Sequence, residues 1–188
     1  MCTRSARIES ISSRPATITE MQDTRISEET SVVGIDVGGE REGFHAVALR
    51  NRIFGKTTSR HAAEIVDWCL ACDAKIVAVD APCGWSKSTS SREAERDLKL
   101  GEERIHCFAT PTLAQALAHR KRFYDWVFNG DRLYRELTRH YNLFAGNRRT
   151  GTVCFETFPH AIVCALSGRV VPAKPKVPNR RKVLRDQC

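Results

Sequence analysis

The sequence predicts an α/β fold with one mixed sheet, in which the first three strands are antiparallel and the later strands are parallel, flanked by helices. Five short apolar runs bounded by turn residues are typical of strands. The predicted strands are residues 31–37, 44–49, 53–57, 75–79 and 152–156. The first three are joined by short turns, which makes them antiparallel, and helical segments separate the last two from them.

The segments between and after these strands have helical periodicity. The predicted helices are residues 59–72, 91–100, 112–120, 123–140 and 159–166. Ser91 is the expected N-cap of the second helix, with Glu95 supporting its first turn. Pro159 opens the last helix and Gly168 ends it.

The length and composition are those of a single globular domain. The chain has 188 residues, of which 41% are hydrophobic and 28% are charged. No apolar stretch approaches the roughly 20 residues that a membrane-spanning helix needs, so we expect no membrane partner. Residues 1–30 are polar and predict a flexible leader, or an over-extended start, without a secretory signal. Residues 31–168 are the predicted folded domain, and the expected compartment is the cytoplasm.

Positive charge is concentrated in the tail, residues 169–188. That segment has seven basic residues and one acid, so it carries +6 of the formal net charge of +8. Three prolines make it an extended linker. Such a tail favours a phosphate-rich partner, and nucleic acid is therefore a possible ligand. The alternative is a solvated tail that only keeps the protein in solution.

Three acidic residues each stand at the polar end of an apolar run: Asp36 in SVVGIDVGG, Asp80 in KIVAVDAPCG and Glu156 in TVCFETFPH. Such positions lie at the carboxyl edge of a sheet, where α/β proteins build their sites. Carboxylates gathered there repel one another unless a divalent cation holds them together. The alternative is three independent acids in turns, which explains Glu156 least well because Glu is a poor turn former.

The order of the elements is the ribonuclease H-like arrangement, and six motifs resemble one family. The motifs VVGIDVGG, VAVDAPCGWS, CFATPT, FYDWVFNGDRLY, CFETFPHA and RRKVL resemble the domain of unknown function 429 family, which is regarded as a predicted ribonuclease H-like nuclease. The resemblance implies that Asp36, Asp80 and Glu156 are catalytic, metal-binding acids. Such a cluster would hold two Mg²⁺ or Mn²⁺ ions for phosphodiester hydrolysis, with Asp36 as the bridging ligand.

Five further residues are candidates for substrate binding. Gly38 and Gly39 would let a substrate approach the backbone, although they are also ordinary turn residues. Arg92 and Arg96 lie one helical turn apart and could face a phosphate, or could pair with Glu93, Glu95 or Glu102. Trp85 follows Asp80 and could stack on a base, or could pack within its loop.

Other function classes stay open. A non-catalytic nucleic-acid-binding module would keep the fold without turnover. The sequence GIDVGG also resembles the first phosphate motif of actin-like phosphotransferases, but those enzymes repeat the fold and this chain has room for one copy. Cys69 and Cys72 have the spacing of a redox motif, but the preceding residues predict a helix rather than the strand such a motif requires. The scattered remaining cysteines do not have finger-like zinc spacing.

The end of the sequence motivates one more expectation. Related ribonuclease H-like nucleases, as the resemblance implies, carry a further acid on a C-terminal helix, and this sequence ends at RRKVLRDQC before such a helix. We therefore expect a truncated domain with weak metal affinity, low or absent nuclease activity and an exposed apolar strip beside the fifth strand. The sequence predicts neither the oligomeric state nor a choice between RNA and DNA.

Overall fold

The computed structural model describes residues 30–88, 90–119, 122–144, 146 and 151–172. The strands are β1 (Val32–Val37), β2 (Phe44–Arg50), β3 (Arg52–Ser59), β4 (Ile76–Asp80), β5 (Lys99–Leu100), β6 (Glu103–Arg104), β7 (Asn142–Leu143) and β8 (Val153–Glu156). The helices are α1 (Ala62–Ala71), α2 (Glu93–Arg96), α3 (Leu113–Ala118), α4 (Asp125–Leu137) and α5 (Pro159–Ser167), with a 3₁₀ turn at Arg122–Tyr124. The predicted leader, apart from Thr30, and the tail beyond residue 172 lie outside the described residues.

Six strands form the main sheet in the order β3-β2-β1-β4-β8-β7. The β1–β2 and β2–β3 pairs are antiparallel, whereas β1–β4, β4–β8 and β7–β8 are parallel. This confirms the predicted ribonuclease H-like mixed sheet. The two central strands, β1 and β4, are the ones that end in Asp36-Val37 and Asp80, so their carboxyl ends meet in the middle of one edge.

The main core lies between one face of the sheet and helices α1 and α4. Alternate residues of the central strands point into it, and Val33, Val77 and Val79 are fully buried there. Ile65 of α1 and Leu133 of α4 are fully buried against them. Helix α4 presents an apolar stripe on one side and charged residues on the other, as its sequence predicts.

A second, smaller apolar cluster surrounds α5. Cys164 of α5 is fully buried with Ile105 and Val171, and Leu98 and Phe158 pack against them. Gly168 ends α5 in the left-handed conformation, with φ of 64°, which a residue without a Cβ adopts at low cost. The predicted bounds of this helix are thus confirmed to within a residue.

The predicted helix over residues 91–100 is wrong in length. Helix α2 covers only Glu93–Arg96, and Arg92 rather than Ser91 is its N-cap. After it, β5 and β6 form a small antiparallel hairpin whose turn contains Gly101 with φ of 59°. Local propensity favours a longer helix, but the pairing of Lys99 with Arg104 and the left-handed glycine end it early.

Two other differences come from short elements. The helix predicted from Phe123 begins as the 3₁₀ turn and becomes α-helical at Asp125. The two-residue strand β7 was not predicted, because so short a segment has no periodicity to detect. It pairs with β8, and Leu143 and Phe144 beside β8 are 46% and 39% exposed.

The Cys69 thiol lies in the core at the end of α1. Cys69 is fully buried, and burial together with the nearby Cys72 raises its pKa to about 12. A redox-active cysteine needs the opposite shift, because the thiolate is the reactive form. The residues before Cys69 and Cys72 are helical, as predicted, and do not form the strand that a redox motif requires. Within the described residues, no helix is both long and apolar enough to cross a membrane.

Candidate active site

Asp36 and Asp80 are brought together at the carboxyl edge of the sheet. They are register partners on the parallel strands β1 and β4. Register partners on neighbouring strands lie on the same face, with backbones about 4.8 Å apart. Asp36 is exposed and Asp80 is half-buried, so the pair is open to solvent between two buried strand segments. The two residues form a paired acidic edge, which we call the Asp36–Asp80 pair.

Glu156 is at the same edge but is not part of this pair. Its register partner on β4 is Val79, one residue before Asp80. Because successive residues of a strand point to opposite faces, Glu156 begins on the face opposite to the Asp36–Asp80 pair. In the part of the chain that the structure describes, no group of three or more His, Cys, Asp or Glu side chains could hold a metal ion. The structure thus brings together two of the three predicted acids.

Arg92 forms a hydrogen-bonded ion pair with the carboxylate of Glu156. Its Nη1 donates to Glu156 Oε2 at 2.7 Å and its Nη2 donates to Glu156 Oε1, so that the contact is a two-pronged fork. The backbone N–H of Cys83 also donates to Glu156 Oε2, at 2.9 Å. The Arg92 side chain is only 16% exposed. Arg92, a candidate for phosphate binding, therefore already binds a protein carboxylate in this structure.

A second carboxylate, Glu95, holds the other side of Arg92. Arg92 Nε donates to Glu95 Oε1 at 2.7 Å. Glu95 is one of the expected ion-pair partners of Arg92, but the alternative expected a surface pair, whereas this pair is largely buried. The Arg92 backbone N–H donates to Glu95 Oε2 at 3.0 Å. The backbone N–H of Thr110, also at 3.0 Å, and its hydroxyl both donate to Glu95. Glu95 is 7% exposed, so these bonds replace water at a buried carboxylate.

The pKa values of this network follow from its geometry. Burial alone would lower the pKa of Arg92, but its hydrogen bonds and ion pairs with Glu156 and Glu95 raise it above its usual range. Burial would raise the pKa of Glu95, but the hydrogen bonds from Thr110 and Arg92 outweigh it and hold the pKa below the ordinary value. Both groups stay charged at neutral pH.

A pH dependence of stability follows from Glu95. In the unfolded chain the carboxyl group of Glu95 has a pKa of about 4.3. In the folded protein its pKa is lower, so the carboxylate takes up a proton only at a lower pH. The stabilisation is therefore fully present above the unfolded-state pKa and is lost as the pH falls through the folded-state pKa. We expect the difference in unfolding free energy between wild type and Glu95→Gln to shrink below about pH 4.3. Urea titrations across this range would measure it, and a difference independent of pH would contradict the assignment.

Arg96 lies on the exposed side of α2, away from the fork. Its Nη1 donates to the backbone carbonyl of Ser91 and, at 3.5 Å, to the hydroxyl of Ser90. The two guanidinium groups thus bind different partners, and the structure does not direct them at one common phosphate site. Arg96 ties the loop after Trp85 to α2.

Gly38 and Gly43 are explained by the turn after β1 itself. Gly38 N–H donates to the Gly43 carbonyl and Gly43 N–H to the Gly39 carbonyl, both at 2.8 Å. A Cβ on Gly38 would lie 2.5 Å from the Cβ of Glu42, closer than real atoms allow. Gly43 has φ of 69°, where glycine is the favoured residue. The turn thus needs glycine at Gly38 and Gly43 whether or not a substrate approaches.

Two residues of α4 that the sequence did not single out hold this turn in place. Asn129 Nδ2 donates to the Gly38 carbonyl at 2.9 Å, and Arg132 Nη2 donates to Asn129 Oδ1 at 2.8 Å. Asn129 is 4% exposed. A buried amide on the apolar side of an amphipathic helix is the sequence signal that could have found it, since buried polar groups need a partner.

Gly130 lets α4 pack closely against the loop after β4. A Cβ there would lie 2.8 Å from the Cβ of Ala81. The Asn-Gly step inside the predicted helix therefore serves packing. Trp85, further along the same loop, contacts Phe128 of α4, with ring centroids 4.9 Å apart and the planes tilted by 57°. This contact supports the packing role for Trp85 over the base-stacking role.

A cleft of about 420 Å³ opens beside the Arg92–Glu156 fork. Its polar end is formed by Arg92, Glu95 and Glu156, and its apolar walls include Phe108, Trp126 and Ile162. Most of its lining is apolar, which is typical of small-ligand and base-binding clefts. The cleft and the Asp36–Asp80 pair are at the same edge of the sheet.

The fold and this edge define an α/β protein with paired acids at the carboxyl ends of its central strands. The model of the family described as protein of unknown function (DUF429) matches residues 34–187. The chain therefore belongs to that family. Comparison with curated proteins and with solved structures gave no match.

Proposed function

We propose that the protein is a divalent-metal-dependent phosphodiester hydrolase acting on nucleic acid, with Asp36 and Asp80 as its metal-binding, catalytic acids. The observation that supports this most strongly is their register: two carboxylates on adjacent parallel strands, on one face and at the accessible edge. Carboxylates at neighbouring register positions repel one another when both are charged, and a divalent cation would relieve that repulsion. Mg²⁺ or Mn²⁺ is the proposed ion.

The residues at this edge fit a hard cation. Mg²⁺ in nucleotide-processing sites is usually held through one or two carboxylates, waters and substrate phosphates, which does not require a third acid. When bound, such an ion supplies Lewis-acid stabilisation and an activated water. Asp36 and Asp80 would hold it through oxygen, and the exposure of Asp36 leaves room for a phosphate. Two carboxylates make a weaker site than a larger set of charged ligands would.

In this proposal Glu156 is a structural residue beside the metal site and is not a metal ligand. Its two oxygens accept bonds from Arg92 and from the Cys83 backbone, so the negative charge is already compensated. For Glu156 to act as the third ligand, the Arg92 fork would have to open. The arrangement seen here makes the Arg92–Glu156 pair a brace between α2 and the end of β8.

A conservative substitution separates these two roles. We expect Glu156→Gln to change the affinity for Mn²⁺ by less than about twofold, because a carboxylate held by a guanidinium fork is not a ligand. The same change should lower the free energy of unfolding by about 1 kcal/mol, since it weakens a charged hydrogen-bonded pair. Calorimetric Mn²⁺ titration would measure the first effect and urea denaturation the second. The matched control is Asp80→Asn, which should weaken Mn²⁺ binding instead.

The reaction itself is tested with a panel of nucleic acids. Single-stranded and duplex RNA and DNA would be incubated with excess protein in Mg²⁺, in Mn²⁺ and in EDTA. We expect slow cleavage of at least one substrate in the metal-containing samples and none in EDTA. Complete stability of all four substrates, with unaltered protein folding, would rule out the hydrolase.

A specific observation supports a second candidate, the non-catalytic nucleic-acid-binding module. The third predicted acid is paired with Arg92, and no three-acid metal group is found among the described residues. Such a module would bind the same panel equally well in EDTA and leave it uncut. The phosphotransferase reading has less support, because the Gly38 N–H donates within its own turn rather than being free for a nucleotide phosphate.

A further inference from the structure

Five aromatic or imidazole rings gather around the start of α4. This aromatic cluster consists of Phe108, His119, Phe123, Tyr124 and Trp126. The ring centroids are 5.0 Å apart for Phe123 and Tyr124, and 5.1 Å apart both for Phe108 and Trp126 and for His119 and Tyr124. These spacings are those of direct ring packing. The rings come from three separate chain segments, so the fold builds one continuous aromatic surface.

This surface is open to solvent. Phe123 is 56% exposed and Phe108 is 38% exposed, although both are large apolar side chains. Tyr124 and Trp126 are half-buried. Tyr124 contacts both exposed rings, and Trp126 contacts Phe108. An exposed aromatic cluster supported by packed rings is rigid, so it can present ring faces with little loss of side-chain entropy.

The aromatic cluster adjoins the acidic edge. Arg122, which directly precedes Phe123, forms an ion pair with Glu40 at 2.7 Å. Glu40 belongs to the turn that follows Asp36. In the same turn, a Cβ on Gly39 would lie 3.8 Å from the Cβ of Asp125 in the first turn of α4. The start of α4 is therefore held directly against the turn after β1.

A short basic segment directly precedes Phe123 in the sequence. Residues 119–122 read His-Arg-Lys-Arg, directly before Phe123-Tyr124. Of the described members, His119 is exposed and Arg122 has a side chain that is 67% exposed. Arg122 also approaches Asp125 at 3.8 Å, so part of its charge is compensated locally. Basic residues interleaved with aromatic rings are the composition that binds a phosphate backbone and stacks its bases.

We propose that the aromatic cluster is a base-stacking platform for single-stranded nucleic acid, with Phe123 and Phe108 as the stacking rings. This inference rests on the proposed function and specifies its substrate class: a single strand that crosses the Asp36–Asp80 pair and lays its neighbouring bases on the cluster. Duplexes bind less well, because their base faces are covered by their own stacking. The positive sequence next to the rings favours a nucleic acid over an apolar protein partner.

The test is a binding measurement that needs no turnover. Fluorescence anisotropy would follow a labelled oligothymidylate of about 15 nucleotides, a length that covers a typical single-strand site, in EDTA. We expect Phe123→Ala and Phe108→Ala each to raise the Kd by about fivefold or more, the worth of one stacked base. Phe123→Trp keeps a ring face and should preserve the wild-type Kd. The matched control is Phe54→Ala, which removes a 47% exposed phenylalanine from β3, near the opposite end of the sheet from Asp36.

The outcomes decide between this inference and the proposed function. Loss of binding in the two cluster variants, with Phe54→Ala and Phe123→Trp unchanged, supports the platform even if the protein proves unable to cleave. Equal Kd values in all variants, equal losses in all three alanine variants, or tighter binding of the matching duplex would overturn it. Metal-dependent cleavage with unchanged single-strand binding in the cluster variants would uphold the hydrolase and refute the platform alone.

Discussion

Asp36→Asn is expected to lower the rate of metal-dependent cleavage by about a hundredfold or more, since a carboxylate–metal contact supplies several kcal/mol to the transition state. Asparagine keeps the size of the side chain and removes its charge. Asp80→Asn should have an effect of the same order, because the register places both acids on one face. Initial cleavage rates under excess protein would measure both variants.

The control for these variants is Asp67→Asn, which changes an exposed aspartate on α1. It should cleave at the wild-type rate. Circular dichroism would show that Asp36→Asn and Asp80→Asn are folded. Wild-type cleavage by either folded variant would remove that acid from the proposed site.

Glu95→Ala is expected to destabilise the fold by about 3 kcal/mol, the typical cost of breaking a buried ion pair. The substitution leaves the N–H and hydroxyl of Thr110 without their acceptor and removes one of the two carboxylates that hold Arg92. Breaking a buried ion pair typically costs about 3–5 kcal/mol. Arg92 keeps its two bonds to Glu156, so we expect a loss near the lower value. Urea denaturation followed by circular dichroism would measure the change.

Glu93→Ala is the matched control, because Glu93 lies on the same short helix and is exposed. Its effect should stay within about 0.5 kcal/mol. If the two alanine variants are equally stable, the network around Arg92 is not what holds α2 to the body of the protein.

The sheet could be predicted because its signals are local. The central strands are short apolar runs bounded by turn residues, and the short turns between the first three strands make those strands antiparallel. The Asp36–Asp80 pair could be predicted for the same reason. Both acids follow buried runs directly, and both runs belong to the central strands that lie side by side.

The direction of Glu156 could not be predicted, because it depends on the register between β8 and β4. A shift of one residue in that pairing moves a side chain to the other face of the sheet. Nothing within TVCFETFPH specifies whether Glu156 is level with Val79 or with Asp80; the register of the two strands places it level with Val79.

The partners of Arg92 and the aromatic cluster depend on contacts between distant segments. Arg92 meets Glu156 across 64 positions of sequence, and Phe108 meets Trp126 through the packing of a loop against α4. The length of α2 was overestimated for a related reason. The amino acids of residues 91–100 favour a helix locally. The hydrogen bonds of Glu95 to Thr110 and the hairpin that follows α2 nevertheless determine where the helix ends.

The most direct test of the proposed function is an anomalous difference map from crystals of the protein soaked in Mn²⁺. We expect one peak between the carboxylates of Asp36 and Asp80, with Glu156 still held by Arg92 and outside the coordination shell. The peak should disappear in Asp80→Asn crystals treated in the same way. A map without a peak at this edge, from well-ordered crystals in which both carboxylates are visible, would contradict the proposed metal site.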